Sequence, residues 1–232
     1  MYAIVGFFQK GGVFMYPILL IFAFGMAIAV ERWFHLRRVK TANQKTWEEV
    51  QPALESSDFD QARNVVNESN SVVAQMLSMG LARQGAVRRR EDIEIAMEES
   101  LMEIVPQLEE RTPYVGLFAN IATLLGLLGT IMGLIQAFTA VANANPAEKA
   151  DLLSASISTA MNTTAFGLIV AIPLLLAHAK ITSTTGKIVT SLEMASIKAL
   201  NVISRSSRRK VNLKVDKRNV DLGTDHDETT DK

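Results

Sequence analysis

Cysteine is absent from this chain of 232 residues, and histidine occurs only three times. Without cysteine the chain has no disulfides, no thiol catalysis and no thiolate metal site. His35, His178 and His226 lie far apart, and no two of them form a pair at ligand spacing, so no metal site is predicted. An excess of charge is missing too, because 24 Lys and Arg balance 24 Asp and Glu. The net charge therefore gives no reason to expect a nucleic-acid partner.

Charged residues are also missing from three long stretches. No Asp, Glu, Lys or Arg occurs in residues 11–30, 112–147 or 152–179. About 20 predominantly apolar residues carry a helix across the roughly 30 Å of bilayer hydrocarbon. The sequence therefore predicts an all-α membrane protein with three transmembrane helices. They are expected at residues 14–30, 113–142 and 152–179.

Basic residues are distributed unevenly among the segments outside these helices. Lys and Arg number eleven in residues 31–112 and eleven in residues 180–232, whereas residues 1–13 and 143–151 contain one each. Because basic residues accumulate on the cytoplasmic side of a membrane, both long segments are predicted to be cytoplasmic. The N-terminal segment and the short turn at 143–151 are then on the outer side.

The N-terminus has two interpretations. Residues 2–10 are amphipathic and precede Gly11-Gly12, which predicts a short helix at the outer membrane interface. The alternative is a secretory signal, since Ala27-Ile28-Ala29 resembles a cleavage site. The charged residues that follow, beginning with Glu31-Arg32, resist translocation. They favour an uncleaved transmembrane anchor with its N-terminus outside.

The predicted cytoplasmic segments have helical periodicity. Ser57-Asp58 marks the start of one helix, and a second covers roughly residues 70–84. Apolar residues at spacings of three, four and seven extend the third transmembrane helix as a cytoplasmic helix over 180–204. Residues 205–232 contain few large apolar side chains and separate basic and acidic blocks, which predicts a disordered tail.

A further cytoplasmic helix is predicted from Glu91 to Arg111. Its apolar stripe leads directly into the second transmembrane helix, so the two are expected to be continuous. Pro106 and Pro113 would then be kinks within one long helix.

The second and third transmembrane helices carry more small and polar residues than an anchor needs. Gly126, Gly129 and Gly133 form one surface on which another helix can approach closely. Seven polar residues within residues 154–164 predict a hydrated or partner-facing surface. Thr and Asn do not change charge near neutral pH, so ion conduction would need hydrated hydroxyls or an acid from a partner. The seven are Ser154, Ser156, Ser158, Thr159, Asn162, Thr163 and Thr164.

Three segments together resemble a known family. They are FFQKGGVFMYPILL followed by ERW, then LLGLLGTIMGLIQAF, then SISTAMNTTAFGLIVAIP. These segments resemble the three membrane segments of the MotA/TolQ/ExbB family, and they are most similar to its three-span ExbB and TolQ branch.

The resemblance implies a homopentameric ring of this subunit in the bacterial inner membrane, with a periplasmic N-terminus and a cytoplasmic C-terminus. It also implies a single-span partner of the ExbD or TolR type, whose membrane aspartate carries the ion. A TonB- or TolA-like transducer would receive the work. The expected function is a stator-like channel subunit that couples the proton motive force to TonB-dependent or Tol-like processes at the outer membrane.

By this resemblance, Thr130 and Thr164 flank the partner's aspartate. The polar face of the third helix adds Thr159, Asn162 and Thr163 to the predicted pore lining. Thr159 stands where ExbB and TolQ proteins often carry Glu, which argues against a proton relay within this subunit. The residues assigned to helix packing are Gly126, Gly129, Gly133, Gly167 and Pro173.

Two alternatives stay open at this point. The transported ion is expected to be H⁺, but hydroxyl oxygens also suit Na⁺, a hard cation. The chain could instead be a three-span scaffold that does not conduct ions. An enzyme is not expected, because GLLGTIMG lacks the lysine of a phosphate-binding loop and no nucleophile–base pair is present. No cofactor is predicted.

Overall fold

The computed structural model describes residues 11–84 and 90–224. Six α-helices form the regular structure of these residues. In chain order they are α1 (Met15–Glu55), α2 (Phe59–Glu68), α3 (Val72–Arg83), α4 (Arg90–Glu109), α5 (Thr112–Asn143) and α6 (Lys149–Thr224).

The helices confirm the predicted all-α class with three membrane-crossing elements. Three stretches are long and apolar enough to cross a membrane: α1, the α4–α5 segment and α6. Their most apolar windows have mean hydropathies of 1.7, 1.9 and 1.9. Only 22–33% of those windows is buried within the chain, so most of their apolar surface is left for lipid or other helices.

The chain divides into two compact units. The first, called the membrane unit, comprises the described residues up to Leu36 together with Glu109–Thr185. The second, called the polar unit, comprises Arg37–Leu108 together with α6 from Gly186 onward. Helices α1 and α6 therefore each contribute to both units.

The core of the polar unit is built from the short helices and from parts of α1 and α6. Gly80 of α3 lies against α4, since a Cβ at this position would be 2.7 Å from Met97 Sδ. Thr46 on α1 and Ser69 after α2 share a hydrogen bond of 2.7 Å between their hydroxyls. The largest fully buried side chains here are Leu54, Met76, Leu77, Leu81, Met97, Ile104, Ile188 and Leu192.

Side-chain caps explain where the short helices begin. Asp58 Oδ1 accepts a hydrogen bond of 3.0 Å from the Gln61 amide at the start of α2. Ser71 Oγ accepts one of 3.2 Å from the Ala74 amide at the start of α3. Helix α2 therefore begins directly after Ser57-Asp58, where a helix start was expected, and α3 begins close to the start expected near residue 70.

The continuous helix expected from Glu91 into the membrane is wrong. Helix α4 ends at Glu109 and α5 begins at Thr112, with Arg111 in the left-handed region at a φ of 62°. Pro113 explains the break, because in a continuous helix its ring would clash with the Glu109 carbonyl. At the first turn of a new helix the missing N–H costs nothing. Pro106 remains inside α4.

The boundaries near the ends of α6 also differ from expectation. The turn expected at 143–151 is shorter, because α6 already begins at Lys149. The helix expected over 180–204 continues to Thr224, which corrects the disorder predicted from residue 205. No Pro or Gly interrupts residues 187–222, and Gly223 lies next to the last helical residue. The interfacial helix expected at 2–10 and the tail after Thr224 lie outside the described residues.

Candidate functional site

Helices α5 and α6 approach each other through a line of small residues, called here the glycine seam: Gly126, Gly129 and Gly133 on α5, with Ala160 and Gly167 on α6. A Cβ at Gly126 would lie 3.3 Å from the Cα atoms of Gly167 and Thr164. A Cβ at Gly133 would lie 2.8 Å from Ala160 Cβ. Residue numbers increase along α5 from Gly126 to Gly133, while those of the facing residues on α6 decrease from Gly167 to Ala160, so the two helices are antiparallel. Backbones this close leave no room for larger side chains.

Gly167 is surrounded by backbone atoms of α5. A Cβ there would be 2.8 Å from the Ala122 carbonyl oxygen and 3.0 Å from the Gly126 Cα. Both neighbours are backbone atoms, which cannot rotate away as a side chain can. The structure therefore places Gly167 where α5 and α6 are in backbone contact.

Two threonines meet beside this contact. The hydroxyls of Thr130 on α5 and Thr164 on α6 are hydrogen-bonded to each other. Thr164 Oγ1 also donates to the Gly126 carbonyl at 2.8 Å, and Thr130 Oγ1 lies 3.2 Å from the same oxygen. We call Thr130, Thr164 and the Gly126 carbonyl the hydroxyl cluster. The two hydroxyl protons can be arranged in two ways. Thr130 donates to Thr164 while Thr164 donates to the carbonyl, or Thr164 donates to Thr130 while Thr130 donates to the carbonyl.

Thr163, one position away, faces a different neighbour. Its side chain is buried, at 2% exposure. Its hydroxyl lies 2.5 Å from the Gly11 carbonyl and 3.0 Å from the Thr159 carbonyl, so it links α6 to the chain just before α1. Gly12 follows with a φ of 74°, a conformation that favours glycine. This geometry favours an anchoring role for Thr163 within the subunit, and its predicted place in a pore lining stays a prediction.

The other predicted site residues are spread along α6. Thr159 Oγ1 donates to the Ala155 carbonyl of its own helix at 3.1 Å. Asn162 is partly buried, and Pro173 is exposed on a helix that continues past it. The polar surface expected over residues 154–164 is therefore divided: Ser154 and Ser158 are exposed, whereas Thr163 and the hydroxyl cluster lie against α5 or the chain before α1.

Two features of the membrane unit were not anticipated. One is the Thr163–Gly11 bond, for which the Gly11-Gly12 pair was the available signal. The other is His178, whose ring packs on Gly116 of α5, where a Cβ would be 3.3 Å from Nε2. His178 has no acidic or metal-ligand neighbour in the sequence, so its contact could be found only from the register of the two helices.

Large apolar side chains cover the surfaces of α5 and α6 that face away from the seam. On α5 the exposed set includes Leu124, Leu127, Ile131, Ile135 and Phe138, and on α6 it includes Leu168, Ile169, Ile172 and Leu176. Such surfaces are stable in lipid or against other helices rather than in water.

Comparison with known proteins agrees with this architecture. The model of the MotA/TolQ/ExbB proton channel family matches residues 68–194, which is more than half of the chain and includes α5 and the first part of α6. A putative biopolymer transport protein ExbB homolog of Methanothermobacter thermautotrophicus is 28% identical over 177 residues, covering 75% of this chain and 61% of that one.

Two further relatives point the same way. A putative biopolymer transport protein, ExbB-like 1, of Synechocystis sp. is 30% identical over 71% of this chain and 65% of its own length. The Tol-Pal system protein TolQ of Haemophilus influenzae is 32% identical over 83 residues, 36% of each chain. The chain thus spans less than two thirds of the length of each of these relatives. The match of the family model, over most of the helices that form the seam, shows that this chain belongs to the MotA/TolQ/ExbB proton channel family.

Proposed function

We propose that this chain is a ring-forming, stator-like subunit of an ion-driven motor in the bacterial inner membrane. It couples the proton motive force, with sodium as the alternative ion, to mechanical work on TonB-dependent or Tol-like outer-membrane processes. The family and the relatives named ExbB and TolQ support this assignment. The main observation behind the proposal is the hydroxyl cluster, which places two polar side chains at the backbone contact of two membrane helices.

The ion-carrying charge belongs to another chain in this proposal. Residues 112–147 and 152–179 contain no Asp, Glu, Lys or Arg, and a threonine hydroxyl does not ionise near neutral pH. A single-span partner of the ExbD or TolR type supplies a membrane aspartate. Charged groups in a bilayer are costly unless they are paired or hydrated, so this aspartate needs donors on the wall that it faces.

The hydroxyl cluster is suited to be that wall. Either threonine can turn its proton from the Gly126 carbonyl to a carboxylate, because the remaining hydroxyl still satisfies the carbonyl. A hydrogen bond to the ionised form stabilises it, and loss of that bond on protonation favours movement of the aspartate. The same oxygens can coordinate Na⁺ without any titration.

The exposed apolar surfaces of α5 and α6 support assembly. Five copies and the surrounding lipid would cover them in a homopentamer, each copy using one surface against a different surface of its neighbour. The spans of the partner would occupy the centre, and a TonB- or TolA-like transducer would receive the work. In this arrangement the N-terminus is periplasmic and the C-terminus cytoplasmic, as the distribution of basic residues predicts.

Substitution of the cluster tests this function. Thr130→Val and Thr164→Val keep the shape of the side chain and remove the hydroxyl. Each is expected to lower ion-driven outer-membrane uptake at least tenfold, the effect of about 1.4 kcal/mol, with assembly of the complex unchanged. Thr139→Val is the matched control, because Thr139 Oγ1 bonds only its own helix, at the Ile135 carbonyl. Full uptake in both cluster variants would refute the assignment.

A three-span scaffold is the second candidate. It is favoured by one observation: the hydroxyls of Thr130, Thr163 and Thr164 all have partners inside the subunit. A scaffold predicts that the valine variants weaken assembly and uptake together. The channel predicts loss of uptake from complexes that still assemble.

A further inference from the structure

A cavity in the polar unit, remote in sequence from the hydroxyl cluster, has the features of a ligand site. We propose that it binds a small organic anion with an apolar body. The cavity lies among α1, α3 and α6 and has a volume of about 300 Å³, at the lower end of the range for small-molecule pockets. We call it the Trp47 cavity. Its lining includes Lys40, Asn43, Trp47, Val73, Met194 and Lys198.

Asn43 provides the first argument. Its side chain is 6% exposed. The Oδ1 atom accepts a hydrogen bond of 3.1 Å from the Val73 amide, which fixes the orientation of the group. The Nδ2 atom has no acceptor in the described part of the chain. Because a buried donor without a partner is unfavourable, an oxygen of a ligand in the cavity would complete the bonding of this amide.

The charge of the lining provides the second argument. Lys40 and Lys198 carry positive charge, and none of the described residues that line the cavity is acidic. The Lys198 ammonium lies over the Trp47 ring, with Nζ 5.8 Å from the ring centroid. This cation–π contact holds the ammonium beside the cavity. The site therefore selects an anion.

The apolar part of the lining indicates that the rest of the ligand is apolar. The ring of Trp47 and the side chains of Val73 and Met194 offer apolar surface, and Met194 is 55% exposed although it is apolar. A ligand body covering these groups would remove them from water. Medium-chain carboxylates have this combination of anionic head and apolar body, and so do anionic lipids.

The test uses the full chain in nanodiscs, with Trp33→Phe so that Trp47 is the only tryptophan. Octanoate is added to nanodiscs of neutral phosphatidylcholine, and octanol is the uncharged control. We expect a saturable change in Trp47 fluorescence with octanoate and none with octanol. If octanoate has no effect but Trp47 fluorescence changes when phosphatidylglycerol replaces phosphatidylcholine, the anionic head belongs to a lipid. No response in either arm would overturn the proposal.

Variants assign the response to this cavity. Lys40→Gln and Lys198→Gln are each expected to weaken binding about tenfold, and the double variant to abolish saturation. Lys45→Gln is the matched control, since Lys45 is an exposed lysine on the same helix that pairs with Glu49. Asn43→Asp keeps the acceptor for the Val73 amide, removes the donor and should also weaken binding. If that variant fails to fold, the lysine variants decide, and unchanged binding in the double variant would refute the site.

Discussion

Adjacent threonines on α6 have different surroundings, and we propose different roles for them. Thr163 is directed to the Gly11 carbonyl and is buried, whereas Thr164 is directed to Thr130 and the Gly126 carbonyl of α5. A step of one residue turns a side chain by about 100° around a helix. Neighbouring hydroxyls in a polar stretch therefore bond to different partners, and the sequence of that stretch does not show which partners these are.

Removal of the Thr163 hydroxyl should loosen the chain before α1. Thr163→Val leaves the Gly11 carbonyl without its side-chain donor, at an expected cost of about 1 kcal/mol. We expect faster hydrogen exchange in the first turn of α1, with α5 unaffected. Thr159→Val is the control, because Thr159 bonds only its own helix. Equal exchange in the two variants would contradict the anchoring role.

A second residue-scale prediction concerns Arg63 in the polar unit. Its guanidinium donates to the Leu81 carbonyl at 3.2 Å and to the Gln84 carbonyl and side-chain oxygens at 3.2 and 2.8 Å. These acceptors lie at the C-terminal end of α3, where backbone carbonyls run short of helical N–H donors; the Leu81 carbonyl also accepts from the Gln84 amide at 3.3 Å. Arg63→Met should raise the hydrogen-exchange rates of α3 by about tenfold, since charge-assisted bonds contribute about 1.5 kcal/mol or more.

The control for Arg63 is its exposed partner. Asp60 pairs with Arg63 Nη1 at 2.9 Å but is almost fully exposed. Surface pairs of this kind contribute little. Asp60→Ala should therefore leave exchange in α3 nearly unchanged, and an effect as large as that of Arg63→Met would show that the ion pair, rather than the cap, stabilises α3.

At the scale of elements, the spans could be predicted and their contacts could not. The absence of charge located α5 and the start of α6 to within a few residues, because insertion into lipid depends on composition. The break at Arg111 was missed, since an apolar stripe continues through it and only the clash of Pro113 with Glu109 interrupts the helix. The hydroxyl cluster joins residues 34 positions apart. Its geometry depends on the register between α5 and α6, and the sequence of either helix by itself does not determine that register.

Glycine substitutions test the seam as an element contact. Gly167→Ala places a methyl group 2.8 Å from the Ala122 carbonyl oxygen, so α5 and α6 must separate. We expect a loss of about 1–3 kcal/mol, seen as a lower unfolding temperature in detergent. Gly186→Ala, also on α6, meets nothing within 4 Å and should stabilise its helix slightly through helix propensity. The same sign of effect at both positions would contradict the close backbone contact.

At the scale of the whole molecule, we propose that the wall of an ion path and the charge that moves along it belong to different chains. In the proposed function this chain supplies three helices able to cross a membrane and the hydroxyl cluster, and the single-span partner supplies the carboxylate. If the ion is H⁺, uptake should stop when a protonophore is added and should persist when sodium is replaced by choline. Uptake that survives the protonophore but stops without sodium would identify Na⁺ instead.

Ion flux into proteoliposomes tests the central claim most directly. The chain alone is reconstituted beside the chain with its single-span partner, and flux is followed under an imposed gradient. We expect no flux above the liposome leak for the chain alone. With the partner we expect flux, and we expect it to be lost when the partner's membrane aspartate is replaced by asparagine. Flux through the chain alone, or flux that survives the replacement, would contradict the assignment of the ion-carrying charge to another chain.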